Sequence, residues 1–204
     1  MSMDEFSTEP LAARMRPTTL AEVVGQEHIL GEGKLLRRVI EADRLTNIIL
    51  YGPPGCGKTT LAEVVAKTTR RNFVRLSGVL AGVADIRKIC ERARTELGGE
   101  GTILFIDEIH RFNKSQQDAL LGAVEDGTVV LIGATTENPS FEVITPLLSR
   151  CQVFVLKSLD VNDLQQLLDR ALAEDEVLKH KDISVKETDA LFRYSAGDAR
   201  KFLN

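Results

Sequence analysis

Hydrophobic and polar positions along the chain alternate between two rhythms. Five short runs rich in branched apolar residues read as buried strands: Asn47 to Tyr51, Phe73 to Leu76, Ile103 to Ile106, Val129 to Ala134 and Val153 to Leu156. Between them, apolar residues recur at helical spacing. Leu35, Leu36, Val39 and Ile40 form one stripe, and Leu61, Ala62, Val65 and Ala66 a second; Ile86, Ile89, Cys90, Ala93 and Leu97 form a third, and Leu120, Leu121 and Val124 a fourth. Strands alternating with helices imply βαβ units, and strands apolar at nearly every position imply cover on both faces. The predicted class is α/β, with a mostly parallel five-stranded sheet between helices.

After Leu156 the pattern turns to helices only. Asp160 is placed to cap a helix with Leu164, Leu167, Leu168 and Leu172 inward, and Ser184-Val185-Lys186-Glu187 has capping-box spacing before a helix carrying Leu191 and Phe192. Gly197 ends that helix and Asp198 is placed to cap another. About six residues remain for the last helix, fewer than an isolated helix needs, so Asn204 reads as a boundary within a larger unit. The expected organisation is a flexible N-terminus over 1–9, an α/β core over 10–157 and a helical region over 158–204 that is incomplete at its C-terminal end.

Composition narrows the class further. Hydrophobic residues make up 43% and charged residues 27% of the 204 positions, which argues against a disordered, collagenous or membrane-embedded chain. The longest apolar run, Val129 to Ala134, is too short for a bilayer, and the polar, acidic first ten residues carry no apolar signal segment, so a cytosolic location is expected. The net charge of −4 means that any nucleic-acid contact has to come from a local patch. Cys56, Cys90 and Cys151 form no CxxC pair, and His28, His110 and His180 are scattered. These spacings favour neither a disulfide framework nor a zinc site.

Two segments carry chemistry. Gly52-Pro53-Pro54-Gly55-Cys56-Gly57-Lys58-Thr59, followed by Thr60, fits G-x-x-x-x-G-K-[ST] between a predicted strand and a predicted helix. Its glycines let backbone N–H groups wrap a phosphate, the helix N-terminus adds positive potential, Lys58 reaches the β/γ-phosphates and Thr59 ligates Mg²⁺. Ile103-Leu-Phe-Ile-Asp107-Glu108 is a buried strand ending in two carboxylates. Asp107 is placed to hold Mg²⁺ and Glu108 to orient the attacking water, the two needs of phosphoryl transfer to water. Asn113-Lys114-Ser115-Gln116 departs from the guanine-reading N-K-x-D at Gln116, so adenine is the expected base.

GPPGCGKTT, ILFIDEIH, IGATT, LLSRC and GDAR, in this order, resemble the clamp-loader-like group of AAA+ ATPases. LAARMRPTTLAEVVGQEH, HRFNKSQQDALL and GATTENPSF resemble, more narrowly, the RarA/MgsA family, bacterial relatives of Werner helicase-interacting protein. The resemblance runs from about Pro10 to Asn204 and implies a P-loop NTPase core over 10–157 with a truncated all-α lid. It implies Walker A at the phosphate loop, Walker B at Asp107 and Glu108, and sensor 1 at Thr135 with Thr136 as the alternative. It also implies an arginine finger at Arg150, serving the neighbouring subunit's ATP, and a sensor 2 arginine at Arg200. Arg16, Pro17, Val24, Gly25 and Gln26 are implied to hold adenine, and Ser77 to lie where a polar residue switches the Walker B glutamate. ATP and Mg²⁺ are the implied cofactors. The implied partners are DNA in forked, gapped or single-stranded form, further copies of the chain in a homo-oligomer, a tetramer for the full-length protein, and fork proteins such as single-strand-binding protein. The implied location is cytoplasmic and nucleoid-associated, with no membrane contact. A fragment ending at Asn204 is expected to be weakly active by itself.

Competing readings remain for several residues. Arg150 and Arg200 could each form an ordinary ion pair at a helix end. On the helix Ala84 to Leu97, Arg87, Lys88, Arg92 and Arg94 are interspersed with Asp85, Glu91 and Glu96, which suits a solvated face as well as a DNA-facing one. Cys56, beside phosphate-loop amides and a helix N-terminus, is expected to have a lowered thiol pKa, the rival being an inert filler. For the whole chain the rivals are a clamp-loader subunit, a Holliday-junction branch-migration motor, disfavoured because Glu108 to Val129 is too short for that class's β-hairpin, and a non-hydrolysing ATP-switched scaffold. A small-molecule kinase would need a second basic pocket that the sequence does not display.

Overall fold

The computed structural model describes residues 9–95 and 101–204. The predicted positions Glu96 and Leu97 lie outside the described residues, as does most of the expected 1–9 segment. In chain order the helices and strands are α1 (Leu11–Arg14), α2 (Glu27–Leu30), α3 (Leu35–Glu41), β1 (Ile48–Tyr51), α4 (Lys58–Thr68), β2 (Asn72–Ser77), α5 (Val83–Thr95), β3 (Thr102–Asp107), α6 (Lys114–Glu125), β4 (Val130–Thr135), α7 (Pro139–Glu142), α8 (Thr145–Leu148), β5 (Gln152–Val155), α9 (Val161–Glu174), α10 (Asp189–Ser195) and α11 (Ala199–Leu203).

The strands form one five-stranded sheet in the order β2-β3-β4-β1-β5, and every pairing is parallel. Each lies within a residue or two of its predicted place. Leu156, expected as the end of the last strand, falls just past β5, yet its N–H still donates to Tyr51 O at 2.7 Å. Alternate residues feed two cores. Ile48, Leu50, Ile103 and Phe105 pack with Leu36, Ile40, Leu61 and Val65 on one face. Ile49, Leu104 and Ile106 pack with Ile86, Leu120 and Leu147 on the other. This two-sided burial is why the strands lack the alternation of a half-exposed sheet.

The helical stripes are buried where the sheet needs cover. Leu36 and Ile40 of α3 are fully enclosed, whereas Leu35, predicted inward, is 49% exposed. It opens the helix one position away from the Leu36–Ile40 stripe, about 100° around the axis. In the C-terminal region the Asp160 cap forms with a reciprocal capping box through Asp163, and Leu164 and Leu167 point inward. The capping box expected from Ser184 and Glu187 does not form. Helix α10 instead follows Thr188, which makes no side-chain cap. A cap contributes about 1 kcal/mol, too little to hold a turn that buries nothing: Ile183 and Val185 are 41% and 37% exposed. Leu191, predicted inward, is also exposed, while Phe192 stacks on Phe202 with ring centroids 5.7 Å apart. Ala196 and Gly197, both left-handed, end α10, and Asp198 caps α11 through Arg200 and Lys201 N–H.

The segment before β1 is tied to α9 and the turn after it. Arg14 donates from Nε and Nη2 to the two Asp175 oxygens at 2.7 and 3.0 Å, and Arg170 donates to Met15 O at 2.8 Å and Glu22 O at 3.1 Å. The Arg14 hydrogen bond holds the enclosed Asp175 carboxyl below the usual carboxylate range. A carboxyl whose folded value is depressed adds stability above its unfolded pKa, near 4, and loses that contribution as pH falls through the folded value. Arg14→Ala should therefore cost about 2 kcal/mol at neutral pH. In urea unfolding, the gap between variant and parent should shrink below about pH 4.

Candidate nucleotide site

The C-terminal ends of the parallel strands meet at a cavity of about 510 Å³. The phosphate loop leaves β1 there, and Gly52 N–H donates to Thr135 O at 3.1 Å, which carries the β1–β4 ladder one step beyond Tyr51. Gly57, at φ 98°, is the left-handed N-cap of α4, so the first amides of α4 open toward the cavity. Pro54, Gly55, Cys56, Gly57, Lys58, Thr59 and Thr60 line it, with Asp107, Glu108, Thr135 and Thr136 along the strand ends. Arg16, Pro17 and Val24 come from the N-terminal segment and Arg200 from α11. Gly52, Pro53, Gly25, Gln26 and Arg150 are not among the lining residues.

Lys58 Nζ donates to Gly52 O at 2.8 Å and Pro53 O at 2.7 Å, within its own loop. Burial lowers its pKa; Cys56 and Asp107 pull the other way, and Arg200 adds to the lowering. Arg200 reaches this charge from α11, whose first residue, Ala199, donates its N–H to Gly55 O at 3.2 Å. Gly55 sits at φ 70°, and a Cβ there would run into the Asp198 carboxylate, so the loop needs glycine both for its backbone and for this approach.

Asp107 ends β3, with its Oδ2 2.7 Å from Arg75 Nη2. Glu108 follows at φ 56°, a left-handed conformation unusual for a non-glycine residue, and it is exposed to the cavity. Strained residues of this kind cluster at functional sites. Among the described residues there is no group of three or more His, Cys, Asp or Glu that could hold a metal ion. One carboxylate, Asp107, and one hydroxyl, Thr59, do face the same cavity. That donor set fits Mg²⁺, which keeps several waters and takes its remaining ligands from phosphates.

Several of the expected residues have partners within the chain. Thr135 is enclosed; its Oγ1 accepts the Glu137 N–H at 2.9 Å and lies 3.0 Å from His110 Nδ1. Thr136 is the exposed member of the pair. Gln26 is 1% exposed and spends its amide on structure: Nε2 donates to Cys56 O at 3.3 Å and Lys157 O at 2.9 Å, and Oε1 accepts from Lys157 N at 3.1 Å. Gly25 packs against Leu159 and Asp163. Ser77 Oγ accepts Val79 N–H at 3.3 Å and so serves its own turn. Arg150 is half-exposed, bound to Glu125 Oε1 at 2.5 Å and donating to Pro146 O at 2.6 Å, so within one chain it does form an ion pair at a helix end. Arg94 of α5 pairs with Asp126 at 3.1 Å, as on a solvated face. Arg75 and the His110–Thr135 contact escaped the sequence reading; the signal for Arg75 is its place two residues before Ser77 on a strand that pairs with the Asp107 strand.

Cys56 reverses its expected chemistry. It is 2% exposed, and burial pushes its thiol up, outweighing the pull of Lys58. Cys90 is raised by burial too, and Cys151 is pushed up to about 12. At pH 8 the folded chain should therefore react slowly with iodoacetamide at all three positions. Mass-spectrometric labelling should speed up more than tenfold on unfolding in urea, where thiols return to about 8.5.

Comparison with known proteins agrees with this fold. The chain is 52% identical to Replication-associated recombination protein A of Escherichia coli K12 over 209 aligned residues, covering 100% of this chain and 46% of the relative. It is 46% identical over 201 residues to ATPase WRNIP1 of Dictyostelium discoideum, covering 97% of this chain and 23% of that protein. The chain thus spans less than half the length of these relatives. Among solved structures, the Thermotoga maritima RuvB Holliday junction branch migration motor matches at TM-score 0.75 and 32% identity, over 93% of this chain and 63% of that one. The profile of the ATPase family associated with various cellular activities matches residues 48–159, the span from β1 through β5. The chain belongs to this AAA family.

Proposed function

We propose that this chain is the ATP-hydrolysing part of a replication-associated recombination protein that works on forked, gapped or single-stranded DNA. The observation that carries the reading is the convergence of Lys58, Thr59, Asp107, Glu108 and Arg200 on one cavity at the sheet's C-terminal edge. Residues 10–157 act as the nucleotide core and 158–204 as part of a lid. Lys58 exchanges its loop carbonyls for the β/γ-phosphates, and Thr59 and Asp107 hold Mg²⁺. When bound, Mg²⁺ neutralises charge on the phosphate oxygens. Glu108 orients the attacking water, with Thr135, or Thr136 as the alternative, facing the γ-phosphate and Arg200 approaching from α11. Arg16, Pro17 and Val24 supply the adenine wall.

Arg150, outside its own cavity, acts on a neighbour's nucleotide. A residue presented on one face to a different face of the next subunit gives a heterologous ring or spiral, here a tetramer. By itself the chain is then weakly active. DNA, fork proteins such as single-strand-binding protein and a cytoplasmic, nucleoid-associated setting belong to the same reading, supported by the names of the relatives. A branch-migration motor is the second reading that the RuvB likeness raises. The stretch from Glu108 to Val129 argues against it, because it holds a short turn at Ile109–Arg111 and α6 but no strand before β4.

In the full-length assembly, Glu108→Gln should retain nucleotide affinity while turnover falls by about 10²–10⁴, read by single-turnover ATP hydrolysis. Arg150→Ala should lose turnover by about 10³ or more at unchanged affinity, and mixing the two inactive variants should restore part of it. Forked, gapped or single-stranded DNA should raise the parent's rate. No response to any of the three would remove DNA from the reading, and full turnover by isolated monomers would remove the trans role of Arg150.

A further inference from the structure

Arg75 has no part in the reactions above, yet it makes the ion pair that the described residues offer to Asp107. Its position follows from strand register. Arg75 stands opposite Phe105 in the β2–β3 ladder and Ser77 opposite Asp107, so Arg75 is the diagonal neighbour of Asp107 on the same face of the sheet. The guanidinium lies 5.8 Å from the centre of the Phe105 ring, and Phe105 is itself fully enclosed and stacked on Phe73. One end of the fork is thus set by an aromatic floor and the other by Asp107 Oδ2 at 2.7 Å. Neighbouring groups do not take over this task. Ser77 turns its hydroxyl to Val79, and Lys58 directs its ammonium to Gly52 O and Pro53 O.

We propose that Arg75 competes with Mg²⁺ for the Asp107 carboxylate and so sets the Mg²⁺ concentration at which the site takes up nucleotide. The inference rests on the reading of Asp107 as the Mg²⁺ ligand. A divalent cation at Asp107 and a guanidinium 2.7 Å from the same oxygen repel each other, so binding one weakens the other. The exchange is inexpensive for Arg75, whose side chain is 46% exposed and returns to water with its charge solvated. Free Mg²⁺ is disfavoured at the site, whereas Mg²⁺ arriving on a polyphosphate brings anionic oxygens that offset the displaced pair. Arg75 also screens Asp107 from incoming phosphate when Mg²⁺ is scarce, so one side chain acts with opposite sign in the two conditions.

Binding of a fluorescent N-methylanthraniloyl ADP to this chain tests the idea, titrated with Mg²⁺ and, separately, in EDTA. For Arg75→Gln the half-saturating Mg²⁺ should fall about two- to fivefold, while affinity in EDTA weakens by a similar factor. Arg75→Lys, which keeps the charge but loses the planar fork, should fall between parent and Arg75→Gln in both arms. A half-saturating Mg²⁺ that stays constant or rises in Arg75→Gln overturns the proposal, as does equal weakening in both arms, the mark of a structural role. Should Arg75→Gln fail to fold, a half-saturating Mg²⁺ in Arg75→Lys at or above the parent's overturns it. Absence of nucleotide binding by the parent at any Mg²⁺ concentration would remove the nucleotide reading and this inference together.

Discussion

The arrangement of this molecule depends on the parallel ladder around β1. Ile48–Tyr51 lies between β4 and β5 with the chain running the same way in all three, so every strand delivers its following loop to one edge. Three hydrogen bonds extend the ladders beyond the last strand residues: Gly52 N–H to Thr135 O, Leu156 N–H to Tyr51 O, and Gly78 N–H to Asp107 O at 2.7 Å. The phosphate loop, the acid pair and the Thr135–Thr136 turn are therefore set against one another by backbone, before any side chain contributes. With Ile48, Ile49 and Leu50 wholly enclosed, water cannot compete for those bonds, and the floor of the cavity is as rigid as the core beneath it.

Cations gather around that floor, and Arg16, Arg75 and Lys58 each have an internal partner. Arg16 pairs with Glu63 at 3.1 Å, Arg75 with Asp107, and Lys58 with two loop carbonyls, while Arg200 lies close enough to Lys58 to lower its pKa. Binding a polyphosphate here is an exchange of partners. The affinity gained is the difference between new and old contacts, which is smaller than the count of charges suggests. A site built this way stays folded whatever the phosphate concentration, because no buried cation depends on the ligand for its hydrogen bonds.

Local patterns were legible in the sequence, and tertiary competition was not. Strand order along the chain, the phosphate loop, the acid pair and the caps at Asp160 and Asp198 follow from short-range rules, and the structure shows these elements where the rules put them. Cys56 illustrates the other case. Its neighbours, a lysine and a helix N-terminus, argue for a reactive thiolate, but burial outweighs them, and burial is a property of the packed loop. The Ser184 cap lost because nothing packs over that turn, and the Thr135 hydroxyl is shared with Glu137 N–H and with His110, 25 positions away. Arg75 was silent because its partner lies 32 positions away across a ladder, at a register that a single sequence does not specify.

The C-terminal helices reach the phosphate loop through a small number of polar contacts. Gln26 joins Cys56 O to both backbone groups of Lys157, Ala199 N–H meets Gly55 O, and the Asp198 carboxylate rests against Gly55 while capping α11. The apolar anchor of α11 is Phe202 on Phe192. Asp198, which rests against Gly55, and Arg200, on the next residue but one, thus share one turn beside the phosphate loop. Arg150 answers to different neighbours, Glu125 at the end of α6 and Pro146 in α8. The two arginines are thus held by separate parts of the fold. Arg200 is placed by contacts to the phosphate loop, and Arg150 by the α6–α8 surface.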